Sequence, residues 1–147
     1  MKAIIFQAGN DWTGLILRMT LGIVIFPHGA QKTLGWFGGS GFTGTMNYFT
    51  GTLHLSWLVS FLVIFIESAG SVCLIAGIAG RLWGIALIIL FLGMIIRVHQ
   101  VNGFFANWSG TQPGEGFEYH LLVIGLAIAL ALNGSGRWSA DRLTGQS

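Results

Sequence analysis

Four long apolar stretches follow one another along the chain, separated by polar or glycine-rich segments. They run from about residue 13 to 34, from 55 to 79, from 82 to 98 and from 117 to 133. A helix needs about 20 residues, rising about 1.5 Å each, to cross the roughly 30 Å of hydrocarbon in a bilayer. Continuous apolar stretches of this length favour helices over barrel strands, which are shorter and alternate apolar with polar residues. The pattern predicts an all-α protein, an integral membrane four-helix transmembrane bundle that forms a single domain over residues 1–147.

Basic residues are distributed unequally among the segments between these stretches. Residues 36–54 and 100–116 contain no Lys or Arg, and the other segments carry Lys2, Arg81, Arg137 and Arg142. The positive-inside rule therefore predicts that both termini lie in the cytoplasm. Because the first stretch contains Arg18 and no small-residue cleavage pattern follows it, we expect it to be retained rather than removed as a secretory signal.

Composition agrees with membrane insertion and excludes two functional classes. Hydrophobic residues make up 53% of the chain and charged residues 8%, against about 25% charged residues in soluble domains. The net charge of +2 is too small and too scattered for a nucleic-acid surface. Cys73 is the only cysteine, so the chain cannot by itself be a dithiol oxidase, and Cys73 is interpreted as a packing residue.

Ionisable side chains inside the apolar stretches are the clearest candidates for function, because a charge near the bilayer centre costs about 2.5–3.5 kcal/mol. Arg18 is expected in the inner half of the first span and Glu67 near the middle of the second. A lone carboxylate there would take up a proton or pair with a cation, and Arg18 and His28 are candidate partners. A structural ion pair of Arg18 with Glu67 is one interpretation, and a proton relay from Glu67 through His28 is another.

A second group of ionisable residues shares a similar predicted depth near the outer ends of three helices. Its members are His28, Lys32, Arg97, His99, Glu118 and His120. Snorkelling alone would explain Lys32 and Arg97, but the carboxylate and three imidazoles at the same level favour a shared polar pocket. Pro27 would kink the first helix, either opening space beside His28 or serving packing alone. The histidine spacing matches no compact metal motif such as HExxH, so no metal site is predicted.

Several short motifs, in order, resemble the DoxX family of small bacterial membrane proteins. The first is His28-Gly29-x-Gln31-Lys32, with Gly35 and Phe37-Gly38-Gly39 after it. Glu67 follows, with Gly70 and Arg81 downstream. The later motifs are His99-x-x-Asn102-Gly103-Phe104-Phe105, Glu118-Tyr119 and Gly136-Arg137-Trp138-Ser139-x-Asp141-Arg142. The resemblance covers residues 18 to 143, which is almost the whole chain.

The resemblance implies a four-helix bundle in the bacterial cytoplasmic (inner) membrane and an association with respiratory or sulfur redox chemistry. Related DoxD-type subunits belong to thiosulfate:quinone oxidoreductases, while many other members have no assigned reaction. The sequence contains no motif for a haem, flavin or iron–sulfur centre. Electrons would therefore need a quinone or a soluble or membrane redox partner subunit.

The leading hypothesis is a membrane redox subunit whose outer-leaflet pocket binds a quinone headgroup or a small anion. The expected catalytic residues are His28 and His120, which would exchange protons, and Glu67, which would set the charge balance. The expected substrate-binding residues are Lys32, Arg97, His99 and Glu118. The alternative is a non-enzymatic assembly or stress-response partner, or a small-molecule carrier, whose buried polar residues only fix helix packing. Small residues within the spans are compatible with a homo-oligomer and equally with a monomer.

Overall fold

The computed structural model describes Phe6 and residues 9–145, with side chains as far as Leu143, so Lys2 lies outside the described residues. Within these residues the chain is helical and contains no strand, which confirms the all-α prediction. The helices are α1 Trp12–Leu34, α2 Gly41–Asn47, α3 Trp57–Ala76, α4 Gly80–Asn102, α5 Glu118–Asn133 and α6 Ala140–Gly145. In this part of the chain, three helices, α1, α3 and α4, are long and apolar enough to cross a membrane, and α5 is apolar but shorter.

The helix bounds agree with the apolar stretches and differ from them at two places. Helix α4 continues to Asn102, beyond the predicted end at residue 98. Helix α2 lies in a segment that the hydrophobic pattern leaves without a helix. Helix α1 continues through Pro27, which lies inside it.

Helix α1 occupies a central position, because it packs against both α3 and α5, and α5 packs along α4. The core between these helices consists of aliphatic side chains and one phenylalanine: Leu17, Leu21, Ile25, Leu74, Leu87, Leu90, Phe91, Val123, Ile124, Ala127 and Leu130. The four helix ends near Trp12, Ala76, Gly80 and Asn133 form one end of the molecule, called here the Arg18 end. The opposite end, near Leu34, Trp57, Asn102 and Glu118, is called the cavity end.

Gly29 brings the backbones of α1 and α3 into contact beside Glu67. A Cβ atom on Gly29 would lie 2.5 Å from the Glu67 carbonyl oxygen and 2.6 Å from the Cα of Ser68. We expect Gly29→Ala to lower the free energy of unfolding by about 1–3 kcal/mol, because backbone atoms cannot yield to the added methyl group. Chemical unfolding in detergent measures this difference.

Gly125 provides the matched control for this substitution. A Cβ atom on Gly125 would meet nothing within 4 Å, and alanine is favoured over glycine in a helix by about 1 kcal/mol. Gly125→Ala should therefore leave stability unchanged or raise it slightly. Equal unfolding curves for the two variants would contradict the close approach at Gly29.

Arg18 is 2% exposed and connects three helix ends through backbone carbonyls. Its guanidinium donates to the carbonyls of Leu74 and Ile75 at the end of α3, over 3.1 and 2.5 Å. It also donates to carbonyls in the segment between α5 and α6, those of Ser135, Arg137 and Trp138. Carbonyls at a helix C-terminus have no partner within the helix, so Arg18 satisfies groups that the bilayer cannot solvate.

The predicted ion pair of Arg18 with Glu67 is therefore wrong. The five donors of a guanidinium suit several carbonyls at once, and the ends of α3 and α5 place those carbonyls around Arg18. Glu67 lies further along α3, toward the cavity end, and pairs with Lys32 instead. Backbone carbonyls therefore hold Arg18 at this end, the negative charge of nearby Asp141 also acts on it, and Glu67 is not its partner.

Other side chains at the Arg18 end also bind helix termini. Asp141 accepts hydrogen bonds from the backbone N–H groups of Ala79 and Gly80, at the start of α4. Arg81 donates to the carbonyls of Ala131, Leu132 and Asn133, at the end of α5. Asp11 accepts from the backbone N–H of Gly14 at the start of α1, and this bond lowers the pKa of the Asp11 carboxyl. Charged side chains at this end thus bind the free backbone groups of the helix termini, as capping residues do.

Candidate functional site

A cavity of about 930 Å³ occupies the cavity end, bordered by α1, α3, α4, the start of α5 and the segments that precede α3 and α5. Most of its lining side chains are apolar, as in binding pockets of comparable volume. The polar lining includes His28, Lys32, Glu67, Arg97, His99, Tyr119 and His120. The structure thus brings all of the predicted catalytic and substrate-binding residues except Glu118 to the wall of one cavity.

Lys32 and Glu67 form an ion pair across α1 and α3. The Lys32 Nζ lies 2.5 Å from the Glu67 Oε2, and the two side chains are 20% and 3% exposed. Burying a carboxylate without a counter-charge would cost several kcal/mol, and Lys32 removes most of that cost. The positive charge of Lys32 is therefore paired with the Glu67 carboxylate, and the expected role of Lys32 in substrate binding, together with Arg97, stays a prediction.

Three stretches of π-helix in the described chain border the cavity. They are Tyr48–Thr52 after α2, Ile66–Gly70 within α3 and Ile95–His99 within α4. The stretches contribute Tyr48, Glu67, Arg97 and His99 to the lining. A π-turn inserts one residue into a helix and changes the direction of the side chains around it, and such turns occur frequently at functional sites.

Two imidazoles lie against each other at the start of α5. The ring centroids of His99 and His120 are 4.0 Å apart. The His99 Nδ1 lies 2.8 Å from the carbonyl oxygen of Glu115. Because a carbonyl only accepts, this nitrogen carries the proton, and the Nε2 of a neutral His99 is an acceptor. His120 is 6% exposed, and its Nδ1 has no hydrogen-bond partner among the described residues.

Tyr119 is a site residue to which the sequence assigned no role. Its hydroxyl is buried and has no hydrogen-bond partner among the residues that the structure describes. The ring lies beside His28 and Phe91, with centroids 6.4 and 6.1 Å away. Leaving a buried hydroxyl unpaired costs about 1–3 kcal/mol. Tyr119 and His120 both line the cavity, and each therefore carries one buried polar atom without a hydrogen-bond partner among the described residues.

Arg97 and Glu118 were expected to share one binding site, but only Arg97 lines the cavity. Arg97 borders the cavity and makes no hydrogen bond or ion pair with the described residues. The Glu118 Oε1 accepts from the backbone N–H of Ala106 and the indole N–H of Trp108, each over 2.9 Å. Glu118 thus holds the segment before α5 in place, and that segment contributes Ala106, Asn107 and Trp108 to the cavity wall.

The described residues contain no group of three or more His, Cys, Asp or Glu side chains arranged to hold a metal ion. The third imidazole, that of His28, contacts Tyr119 rather than the pair formed by His99 and His120. The side chains at this wall can form hydrogen bonds, exchange protons and compensate charge beside an apolar surface.

Comparisons with known proteins identify the family. The DoxX family model matches residues 13–100. A protein of Bacillus subtilis (strain 168) named "Putative oxidoreductase CatD" is 32% identical over 121 residues, which cover 82% of this chain and 78% of that protein. No solved structure matches the chain. The chain thus belongs to the DoxX family of membrane proteins.

Proposed function

We propose that this DoxX protein is a redox-associated membrane subunit that binds a quinone headgroup at the polar wall of the cavity. The observation that carries the proposal is the pair of unpartnered polar atoms, the Tyr119 hydroxyl and the His120 Nδ1. The Tyr119 hydroxyl can donate a hydrogen bond to a quinone carbonyl, and the His120 Nδ1 can accept one from a quinol hydroxyl. The mainly apolar lining suits the ring itself, and the name of the Bacillus relative also describes an oxidoreductase.

The histidines at the same wall would exchange protons with the bound quinone. Reduction of a quinone to a quinol takes two electrons and two protons. The electrons would come from a redox partner subunit, and His120 and His28 would exchange the protons. The Lys32–Glu67 pair would keep the local charge near zero while the headgroup changes its protonation state.

The test uses Tyr119→Phe, for which we expect two effects of opposite sign. Removing the unpaired buried hydroxyl should raise the free energy of unfolding by about 1 kcal/mol, and loss of its hydrogen bond should weaken quinone affinity about tenfold. Titration of the detergent-purified protein with a soluble benzoquinone measures affinity, and chemical unfolding measures stability. Tyr48→Phe is the matched control, because Tyr48 also borders the cavity but is exposed.

The result that would overturn the proposal is a Tyr119→Phe protein that is less stable and binds quinone like the unmodified protein. The hydroxyl would then serve packing. The same conclusion would follow if the unmodified protein binds no quinone.

A small anion is the second candidate ligand, and Arg97 favours it. Its guanidinium borders the cavity and forms no ion pair with the described residues, and planar guanidinium groups bind oxyanions well. Arg97→Gln should abolish sulfur-oxyanion binding under this second proposal and leave quinone affinity within about twofold under the first. Calorimetric titrations of both ligands against this variant separate the two.

For the membrane arrangement we propose that α5 is a fourth span, that both termini lie in the cytoplasm and that the membrane is the bacterial inner membrane. Helix α5 has 16 residues, about 24 Å at 1.5 Å per residue, and local thinning of the bilayer can accommodate a short span. The segment with Ser109 would then face outward. In a Cys73→Ala background, Ser109→Cys should react with an impermeant maleimide on intact cells, whereas labelling only after lysis would contradict this orientation.

A further inference from the structure

The cavity extends beyond its polar wall to an apolar opening between α3 and α4. Toward the Arg18 end these helices pack tightly, because the Trp83 ring lies over Gly70 and its centroid is 5.9 Å from that of Phe65. Toward the cavity end, Leu62 of α3 and Ile89 of α4 both line the cavity. Leu62 and Ile89 are nevertheless 42% and 67% exposed. Residues that line a cavity and are also exposed mark an opening, and by the same criterion Trp108, which is 89% exposed, marks a second opening at the cavity end.

With α3 and α4 as membrane spans, the opening between them lies at the depth of the hydrocarbon. Ile89 lies near the middle of α4, which runs from Gly80 to Asn102, and Leu62 lies within α3. Further lining residues on the two helices, Val59, Val63, Gly93 and Met94, are also apolar or lack a polar side chain. Such a wall, surrounded by acyl chains, gives no path to a hydrated solute, because charged and polar groups are costly in hydrocarbon.

One continuous space therefore joins an apolar opening on the lipid side to the side chains of Tyr119 and of His120, which is nine-tenths buried. We infer that the ligand is a quinone with a long hydrocarbon tail, which enters from the bilayer between α3 and α4 and leaves its tail between Leu62 and Ile89. This inference rests on the proposed function and specifies its substrate class. A tailless, water-soluble quinone would use only the polar part of the space.

A substitution at Gly93 can block the space proposed for the hydrocarbon tail, called here the tail path, without a clash in the folded protein. It lines the cavity, and a Cβ atom there would meet nothing within 4 Å. Gly93→Phe should place a ring in the apolar part of the space. Gly125→Phe is the matched control, because a Cβ at Gly125 also meets nothing within 4 Å and Gly125 does not line the cavity.

The experiment compares decylubiquinone with ubiquinone-0, which has the same ring without the tail, on protein in lipid nanodiscs. Gly93→Phe should weaken decylubiquinone binding more than tenfold, the change that corresponds to about two methylene groups no longer buried. Its affinity for ubiquinone-0 should stay within about twofold. Gly125→Phe should match the unmodified protein for both probes. Partitioning of the tailed probe into lipid is the same for all variants and cancels in the comparison.

The outcomes separate this inference from the proposed function. If ubiquinone-0 binds but Gly93→Phe leaves decylubiquinone affinity unchanged, or weakens both probes equally, the tail path is wrong and headgroup binding stands. If neither probe binds the unmodified protein, both are wrong.

A second measurement needs no substitution and therefore does not depend on the folding of a variant. Irradiation of a quinone carrying a diazirine at the end of its decyl tail should attach the tail to peptides containing Leu62 or Ile89, identified by mass spectrometry. Attachment to other helix faces would overturn the inference. A phospholipid with a diazirine in its acyl chain is the second probe. If it also attaches to these peptides and excess decylubiquinone does not displace it, a lipid occupies the opening and the inference is wrong.

Discussion

Arg18→Met is expected to lower the free energy of unfolding by about 3 kcal/mol or more. The substitution removes hydrogen bonds from Arg18 to five carbonyls, and each buried acceptor left unpaired costs about 1–3 kcal/mol. Water reaching the helix ends would offset part of this loss. Chemical unfolding of the purified protein in detergent measures the difference.

Arg142→Met is the control, because Arg142 bonds to Asn10 at the surface of the same end and surface substitutions usually change stability by less than about 0.5 kcal/mol. Arg18→Lys should fall between the two, since an ammonium has three donors and cannot reach all five carbonyls. Equal stability of Arg18→Met and Arg142→Met would show that the carbonyls find other partners, and the account of this end would be wrong.

The second large effect is expected at the Lys32–Glu67 pair, and it should be asymmetric. Lys32→Met leaves a carboxylate that is 3% exposed without its partner, which should cost about 3–5 kcal/mol. Glu67→Leu should cost less, because the Lys32 side chain is 20% exposed and can turn its ammonium toward water. The double variant should be more stable than Lys32→Met alone, since it leaves no buried charge unpaired.

This double-mutant cycle also separates a packing role from a functional one. If the double variant recovers stability and still binds quinone with unchanged affinity, the pair serves helix packing, as the non-enzymatic alternative holds. If it recovers stability and loses quinone affinity, the pair belongs to the binding site. Additive losses in the two single variants would contradict the ion pair itself.

Much of the fold was predictable because hydrophobic length is the dominant signal in a membrane protein. The apolar stretches locate α1, α3, α4 and α5 to within a few residues. Helix α2 and the π-helical stretches were not predictable, because both depend on tertiary packing and neither has a hydrophobic period of its own. Sequence could place Glu67 at a given depth, but only the π-turn at Ile66–Gly70 determines where its side chain points.

The polar cluster was predictable as a set of residues at one depth, but the partners within it were not. Depth alone made Arg18 a candidate partner for Glu67, although backbone carbonyls at helix ends, which carry no sequence signature, surround Arg18 instead. Lys32 was interpreted as a ligand-binding cation, yet its nearest acceptor is Glu67. Tyr119 was quoted in the Glu118-Tyr119 motif and assigned no role, because an aromatic residue near a helix end usually anchors at the interface.

The central claim is that Tyr119 and His120 bind a headgroup inside the cavity, and a crystal structure with a brominated quinone tests it most directly. The anomalous signal of bromine locates the ring independently of the protein density. We expect a peak within the cavity and a quinone oxygen about 2.5–3.2 Å from the Tyr119 hydroxyl or the His120 Nδ1. A ring bound elsewhere, with side chains filling the space beside Tyr119, would contradict the claim.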